Sequence, residues 1–125
     1  KLIMKLTNTL IQIHGNKQHA DNSITIHKKE FTHSLIVSND QLIEIWPFNE
    51  INDLSNQTLQ PIIALQQEVI IIGTGKQIIF PRPENYSSII NMGIGIEFMN
   101  TGAACRTYNI LLSENRKVAA GIIIA

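Results

Sequence analysis

The run Val69-Ile70-Ile71-Ile72, closed by Gly73-Thr74-Gly75, constrains this chain more than any other stretch. Four consecutive β-branched residues without polar alternation fit a strand covered on both faces, and such a strand belongs in the interior of a largely parallel sheet. The glycines then stop it in a tight turn. Helices must supply the covering layers, so the flanking sequence is read for them first.

Residues 56–67 carry Leu59, Ile62, Ile63 and Leu65 at near-helical spacing, with Pro61 acceptable only in a first turn; they predict a short helix. Pro83 opens a second helix through Tyr86, Ile89 and Ile90, which Gly93 caps. Residues 94–99 return as a strand, Asn100 or Thr101 caps a third helix from Ala103 to about Glu114, and residues 117–124 form the last strand. Strands alternating with helices require crossover connections and parallel pairing.

The front of the chain reads differently. Ile24 and Ile26 alternate with Thr25 and His27, Lys28 and Lys29 suit a turn before Phe31, and residues 33–38 and 41–46 make two more strands. Asn39-Asp40 is the turn pair expected to adopt left-handed backbone, and Pro47 ends the meander. The expected fold is a single three-layer α/β domain with a mixed central sheet, N-terminal antiparallel strands and a C-terminal β-α-β-α-β half. Residues 23–125 make up that domain, preceded by a segment, residues 1–22, read as partly flexible; its stretch 14–22 has no apolar period and reads as a solvated loop.

A chain of 125 residues with 44% hydrophobic content can bury one core. Ten basic and ten acidic residues cancel, so no overall field draws the chain to nucleic acid or to an acidic membrane surface, and only a local basic patch is left open. The longest apolar runs are far too short to span a bilayer, residues 1–10 do not read as a secretory signal, and the single Cys105 excludes an intrachain disulfide. These features make the cytoplasm the default location.

Three stretches carry a resemblance: Gly73-Thr74-Gly75; Met99-Asn100-Thr101-Gly102-Ala103-Ala104-Cys105-Arg106-Thr107-Tyr108-Asn109; and Asn115-Arg116-Lys117-Val118-Ala119-Ala120. Over residues 23–124 the chain resembles a family of small α/β domains of unknown function. Its eukaryotic members include a mitochondrial factor that assists assembly of respiratory NADH dehydrogenase (complex I) and an adipogenesis-associated protein. The resemblance implies a three-layer fold with a mixed sheet and brings no established catalytic residues. Where bacterial relatives often have glycine, this chain has Asn115, the next most tolerant residue for a left-handed helix cap.

The chemistry to be weighed is sparse. Gly73-Thr74-Gly75-Lys76 invites a nucleotide reading, but Ile70 and Gln77 break the phosphate-loop pattern, and Ile78-Ile79-Phe80-Pro81 extends instead of opening a helix. A structural turn is the stronger reading, and no cofactor is expected. The better candidate combines Gly73, Thr74 and Gly75 with Thr101, Gly102, Cys105 and Arg106, because a helix start beside a strand's carboxyl end can bind an anion. Lys76 and Arg82 could join them. The competing account makes Thr101 a cap, Gly102 a relief of crowding, and Arg106 the partner of a carboxylate. Cys105, Tyr108 and Leu112 share a helical face, which favours an inert core thiol over a nucleophile. His14, His19, His27 and His33 match no zinc spacing, so no metal site is expected, and Glu44, Glu68, Glu97 and Glu114 form no acid/base pair.

The function this reading favours is a non-enzymatic protein-interaction or assembly-accessory domain with an unknown protein partner. The alternative is a small-molecule or anion-binding domain, enzymes included. A homo-oligomer joined through an exposed sheet edge, most readily among the front strands, is compatible with either.

Overall fold

A computed structural model describes residues 3–5, 12–15, 22–47 and 50–124. Within them lie strands β1 (Ile3–Lys5), β2 (Gln12–Gly15), β3 (Asn22–Ile26), β4 (Lys29–Phe31), β5 (Leu35–Ser38), β6 (Gln41–Ile43), β7 (Val69–Gly73), β8 (Gly95–Met99) and β9 (Val118–Ile122). The helices are α1 (Gln60–Ile63), α2 (Ser87–Asn91) and α3 (Thr101–Ser113). Six strands form one sheet in the order β1-β6-β5-β9-β7-β8, and β2-β3-β4 form a smaller antiparallel one.

The mixed α/β fold expected from the sequence is the one observed. β7 pairs in parallel with both β8 and β9, while β9, β5, β6 and β1 pair antiparallel in turn. The apolar run occupies this interior strand, and Ile70, Ile71 and Ile72 are almost completely removed from water. Each such side chain contributes about 1.5–3 kcal/mol on burial, against about 1–2 kcal/mol to order its backbone.

Alternation along the strands divides the core into two layers. Ile71, Val118 and Ala120 face α3, where Ala104, Cys105, Tyr108 and Leu112 meet them, together with Ile24, Ile26 and Phe31 from the small sheet. Ile70, Ile72 and Ala119 face the other way, onto Trp46, Leu59, Ile62, Ile89 and Phe98. Gly121 makes the second layer fit: a Cβ there would lie 2.6 Å from Trp46 Cζ3 and 2.9 Å from Ile62 Cδ1. Glycine in the strand interior thus admits a fully packed indole ring.

Several local expectations are corrected. The left-handed turn is not at Asn39-Asp40 but at His27-Lys28, with φ of 50° and 67°, where the Ile26–Lys29 pair leaves a two-residue hairpin loop that requires it. The β5–β6 ladder stops at Val37–Leu42 and leaves four residues to turn, enough for right-handed backbone. β6 ends at Ile43, short of Trp46, because the Trp46 N–H donates to Ser34 O (2.7 Å) and its indole N–H to Thr58 O (2.9 Å), which turns the chain inward. The helix expected over residues 56–67 contracts to α1: reciprocal Ser55–Thr58 side-chain bonds hold the approach as a turn, and Gln66 at φ 56° closes it.

His14 and Gly15, expected in a loop, pair in β2 with Ser23 and Asn22; residues 16–21, His19 included, lie outside the described residues. Asn115 has φ 61°, the left-handed cap conformation for which its residue type was singled out. No helix among the described residues is long and apolar enough to cross a membrane.

Candidate functional site

The carboxyl end of β7 brings the two sequence-predicted loops together. Gly73 is the point of closest approach: a Cβ there would lie 3.0 Å from Thr101 Cα and 3.1 Å from Ala104 Cβ, so α3 can rest against the strand only over a glycine. Immediately after it, Thr74 N–H donates to Met99 O (2.8 Å), and Gly75 turns away with φ 102°.

Thr101 ties this end of the sheet. Its N–H donates to Gly75 O (2.8 Å), its hydroxyl accepts from Gly75 N–H (2.9 Å), and the same hydroxyl donates to Ile123 O (2.8 Å). One side chain, 2% exposed, therefore satisfies polar groups from the segments following β7 and β9 while starting α3. Asn100 performs the capping, its side chain accepting from Ala103 N–H at 2.8 Å. Of the two cap residues the sequence allowed, Asn100 is the cap and Thr101 the knot.

Four amide donors that an anion could use here are taken up within the protein. Amides of Thr74, Gly75, Thr101 and Ala103 all have protein acceptors. Arg106 is exposed and has no carboxylate partner among the described residues. Its Nη1 lies 3.4 Å from where a Gly102 Cβ would be, so the guanidinium lies over the start of α3. Cys105 points into the core at 1% exposure, and burial pushes its thiol up to about 12, outweighing the opposing pull of the Arg106 charge. Such a thiol is protonated at neutral pH and a poor nucleophile.

Tyr108 is fully buried on the same face as Cys105. Among the described residues no three His, Cys, Asp or Glu side chains cluster as metal ligands. Glu44 forms an ion pair with Lys29 at 2.8 Å. At the opposite end of the sheet, a polar hollow of about 480 Å³ is bordered by Gln66, Gln67, Asn115, Arg116 and Lys117.

Sequence reasoning missed two partners here. The Ile123 carbonyl carries no side-chain signal, so its bond to Thr101 was not readable. The requirement for glycine at position 121 depends on Trp46, 75 positions earlier, and only the fold brings them together.

A model of the family described as "Protein of unknown function (DUF498/DUF598)" matches residues 17–123. The chain belongs to this family. Among relatives of this DUF498/DUF598 member, the "13 kDa major membrane protein" of Francisella tularensis is 33% identical over 108 residues, covering 86% of this chain and 88% of the relative. "NADH dehydrogenase [ubiquinone] 1 alpha subcomplex assembly factor 3" of Danio rerio is 34% identical over 80 residues, covering 62% of this chain and 46% of the relative. The chain thus matches about half the length of that assembly factor. A crystal structure of a Bordetella parapertussis protein superposes with a TM-score of 0.85 at 29% identity, covering 96% of this chain and 98% of that one. The resemblance seen in the Gly73 and Thr101 stretches is thereby confirmed, assembly-factor relatives included.

Proposed function

We propose that this DUF498/DUF598 domain is a non-enzymatic protein-interaction module, accessory to the assembly of a larger complex. The observation that carries the reading is the closed carboxyl end of the sheet. Open α/β enzymes commonly turn loop amides toward a ligand at that position. Here Thr101, Met99, Gly75 and Asn100 accept or exchange those hydrogen bonds within the protein. The assembly-factor relative of Danio rerio supports an assembly role, carried to this chain as analogy. The rim of β8 also supports interaction, since among the described residues it is an outer strand of the main sheet with β7 as its one neighbour.

Affinity capture of the folded chain, followed by reconstitution with the recovered protein, tests this reading. The expected result is a stoichiometric complex that co-elutes on size exclusion. A folded chain that captures nothing above a matched control, under mild and crosslinking conditions alike, contradicts it.

One observation favours the second reading, an anion-binding domain: Arg106 is exposed beside Gly102 without a carboxylate partner among the described residues. A thermal-shift titration with phosphate, sulfate and nucleotides would then show dose-dependent stabilisation that Arg106→Ala abolishes. Equal response of wild type and variant removes this reading.

A further inference from the structure

Between the buried Thr74-Gly75 turn and the 3-10 turn at Pro83–Tyr86 runs Lys76-Gln77-Ile78-Ile79-Phe80-Pro81-Arg82. Ile78 is 51% exposed, Ile79 39% and Phe80 71%, so three consecutive large apolar residues face water at one place. Single exposed apolar side chains are ordinary, but contiguous ones mark an interaction surface.

This tip is held in shape from below. Thr74, 5% exposed, donates its hydroxyl to Gln77 O (2.6 Å) and accepts from Ile79 N–H (3.2 Å). Pro81 and Pro83 restrict the following backbone and bring no N–H of their own. The apolar residues are therefore presented by a braced loop, and little ordering remains to be done on binding.

Along residues 69–83 the charges have one sign. Exposed Lys76 and Arg82 bracket the tip, and no Asp or Glu occurs between Glu68 and Glu84. Arg106, also exposed, stands on the helix that Thr101 ties to Gly75. In a chain of zero formal net charge this is a local asymmetry.

We propose that the Lys76 to Arg82 loop docks the domain reversibly on an anionic lipid surface, with Ile78 and Phe80 entering the headgroup boundary and Lys76 and Arg82 meeting lipid phosphates. Apolar exposure alone would equally fit a groove on another protein. One feature selects lipid. Cations on both sides of an apolar tip, without an intervening carboxylate, match a negatively charged interface. The proposal is independent of any protein partner.

Co-sedimentation of the full chain with vesicles tests it, comparing phosphatidylcholine alone with phosphatidylcholine containing phosphatidylglycerol, at low salt and at about 0.5 M salt, where screening is strong. The chain is expected to sediment with the anionic vesicles, much less with neutral ones, and to be released by salt. The double variant Lys76→Gln and Arg82→Gln should bind about 10- to 30-fold more weakly, a factor of about five per cation. Phe80→Ser should weaken binding about tenfold by loss of its ring from the interface. Circular dichroism checks that both variants remain folded. In a second measurement, Phe80→Trp should show a blue shift of emission on anionic vesicles, against the constant background of buried Trp46. Failure of wild type to prefer anionic vesicles, equal binding by the variants, or an unshifted Phe80→Trp emission each overturns the proposal. Self-association lost in Phe80→Ser, without vesicle binding, also overturns it and assigns the loop to a second copy of the chain.

Discussion

Residues 73–75 and residues 78–80 belong to one connection and sit in opposite environments. Gly73, Thr74 and Gly75 are buried, with the Thr74 and Gly75 amides bonded to neighbouring elements, whereas Ile78, Ile79 and Phe80 are apolar and exposed. Ordinary partitioning would place the threonine outside and the isoleucines inside. The inversion separates two tasks within ten residues: the turn closes the sheet, and the tip is left for contact with something else. Substitutions in the two stretches should therefore have unlike consequences.

The largest effect is expected at Thr101. Thr101→Val keeps the shape but leaves Ile123 O and Gly75 N–H without their hydroxyl partner. Two buried polar groups left unsatisfied should cost about 3 kcal/mol, read as a lower urea midpoint at unchanged m-value. Gly73→Ala should follow at about 2 kcal/mol, because a Cβ 3.0 Å from backbone Cα of Thr101 forces α3 off the strand. A variant as stable as wild type in either case would mean that the knot is not a fixed contact.

Cys105, on the helix started by the knot, gives a pH-dependent version of the same comparison. Its thiol titrates at about 12 when folded and at the ordinary 9.0 when exposed by unfolding. Above pH ~9 the unfolded state binds fewer protons, so stability is intact below that value and falls progressively toward pH ~12. At pH ~10 the loss attributable to this group should be about 1.4 kcal/mol, measured as the difference between wild type and Cys105→Ala in chemical denaturation. An identical alkaline profile for both would mean that the thiol is solvated. The smallest stability effect belongs to the exposed tip: Phe80→Ser should change unfolding free energy by less than about 0.5 kcal/mol.

The sequence was most legible where periodicity and burial coincide. Ile70, Ile71 and Ile72 announced an interior strand because no polar residue interrupts them, and the interior of a parallel sheet is where they lie. Proline at the helix starts and Asn115 at a helix end were readable because their backbone requirements are local. The convergence of Gly73 and Thr101 followed from strand order once β7 and β8 were taken as parallel neighbours.

What stayed hidden depends on distant partners. Nothing local distinguishes His27-Lys28 from Asn39-Asp40 as the left-handed turn, since pairing register decides how many residues each loop has. Trp46 bends β6 inward through Ser34 and Thr58, and neither carbonyl has a sequence signature. The same holds for the knot itself: Thr101 was visible as a helix start, while its engagement with Ile123 required the fold. The exposed tip was read from sequence only as extended chain after a turn, because burial of Ile78 to Phe80 is the ordinary expectation for such residues.

Side-by-side measurement of Thr101→Val and Phe80→Ser, each assayed by urea unfolding and by binding to phosphatidylglycerol-containing vesicles, tests this division most directly. The account predicts a crossed result: Thr101→Val loses stability and, below its unfolding transition, binds vesicles like wild type, while Phe80→Ser keeps its stability and loses binding. Parallel loss of both properties in both variants, or no loss in either, would contradict the separation of a structural turn from a docking tip.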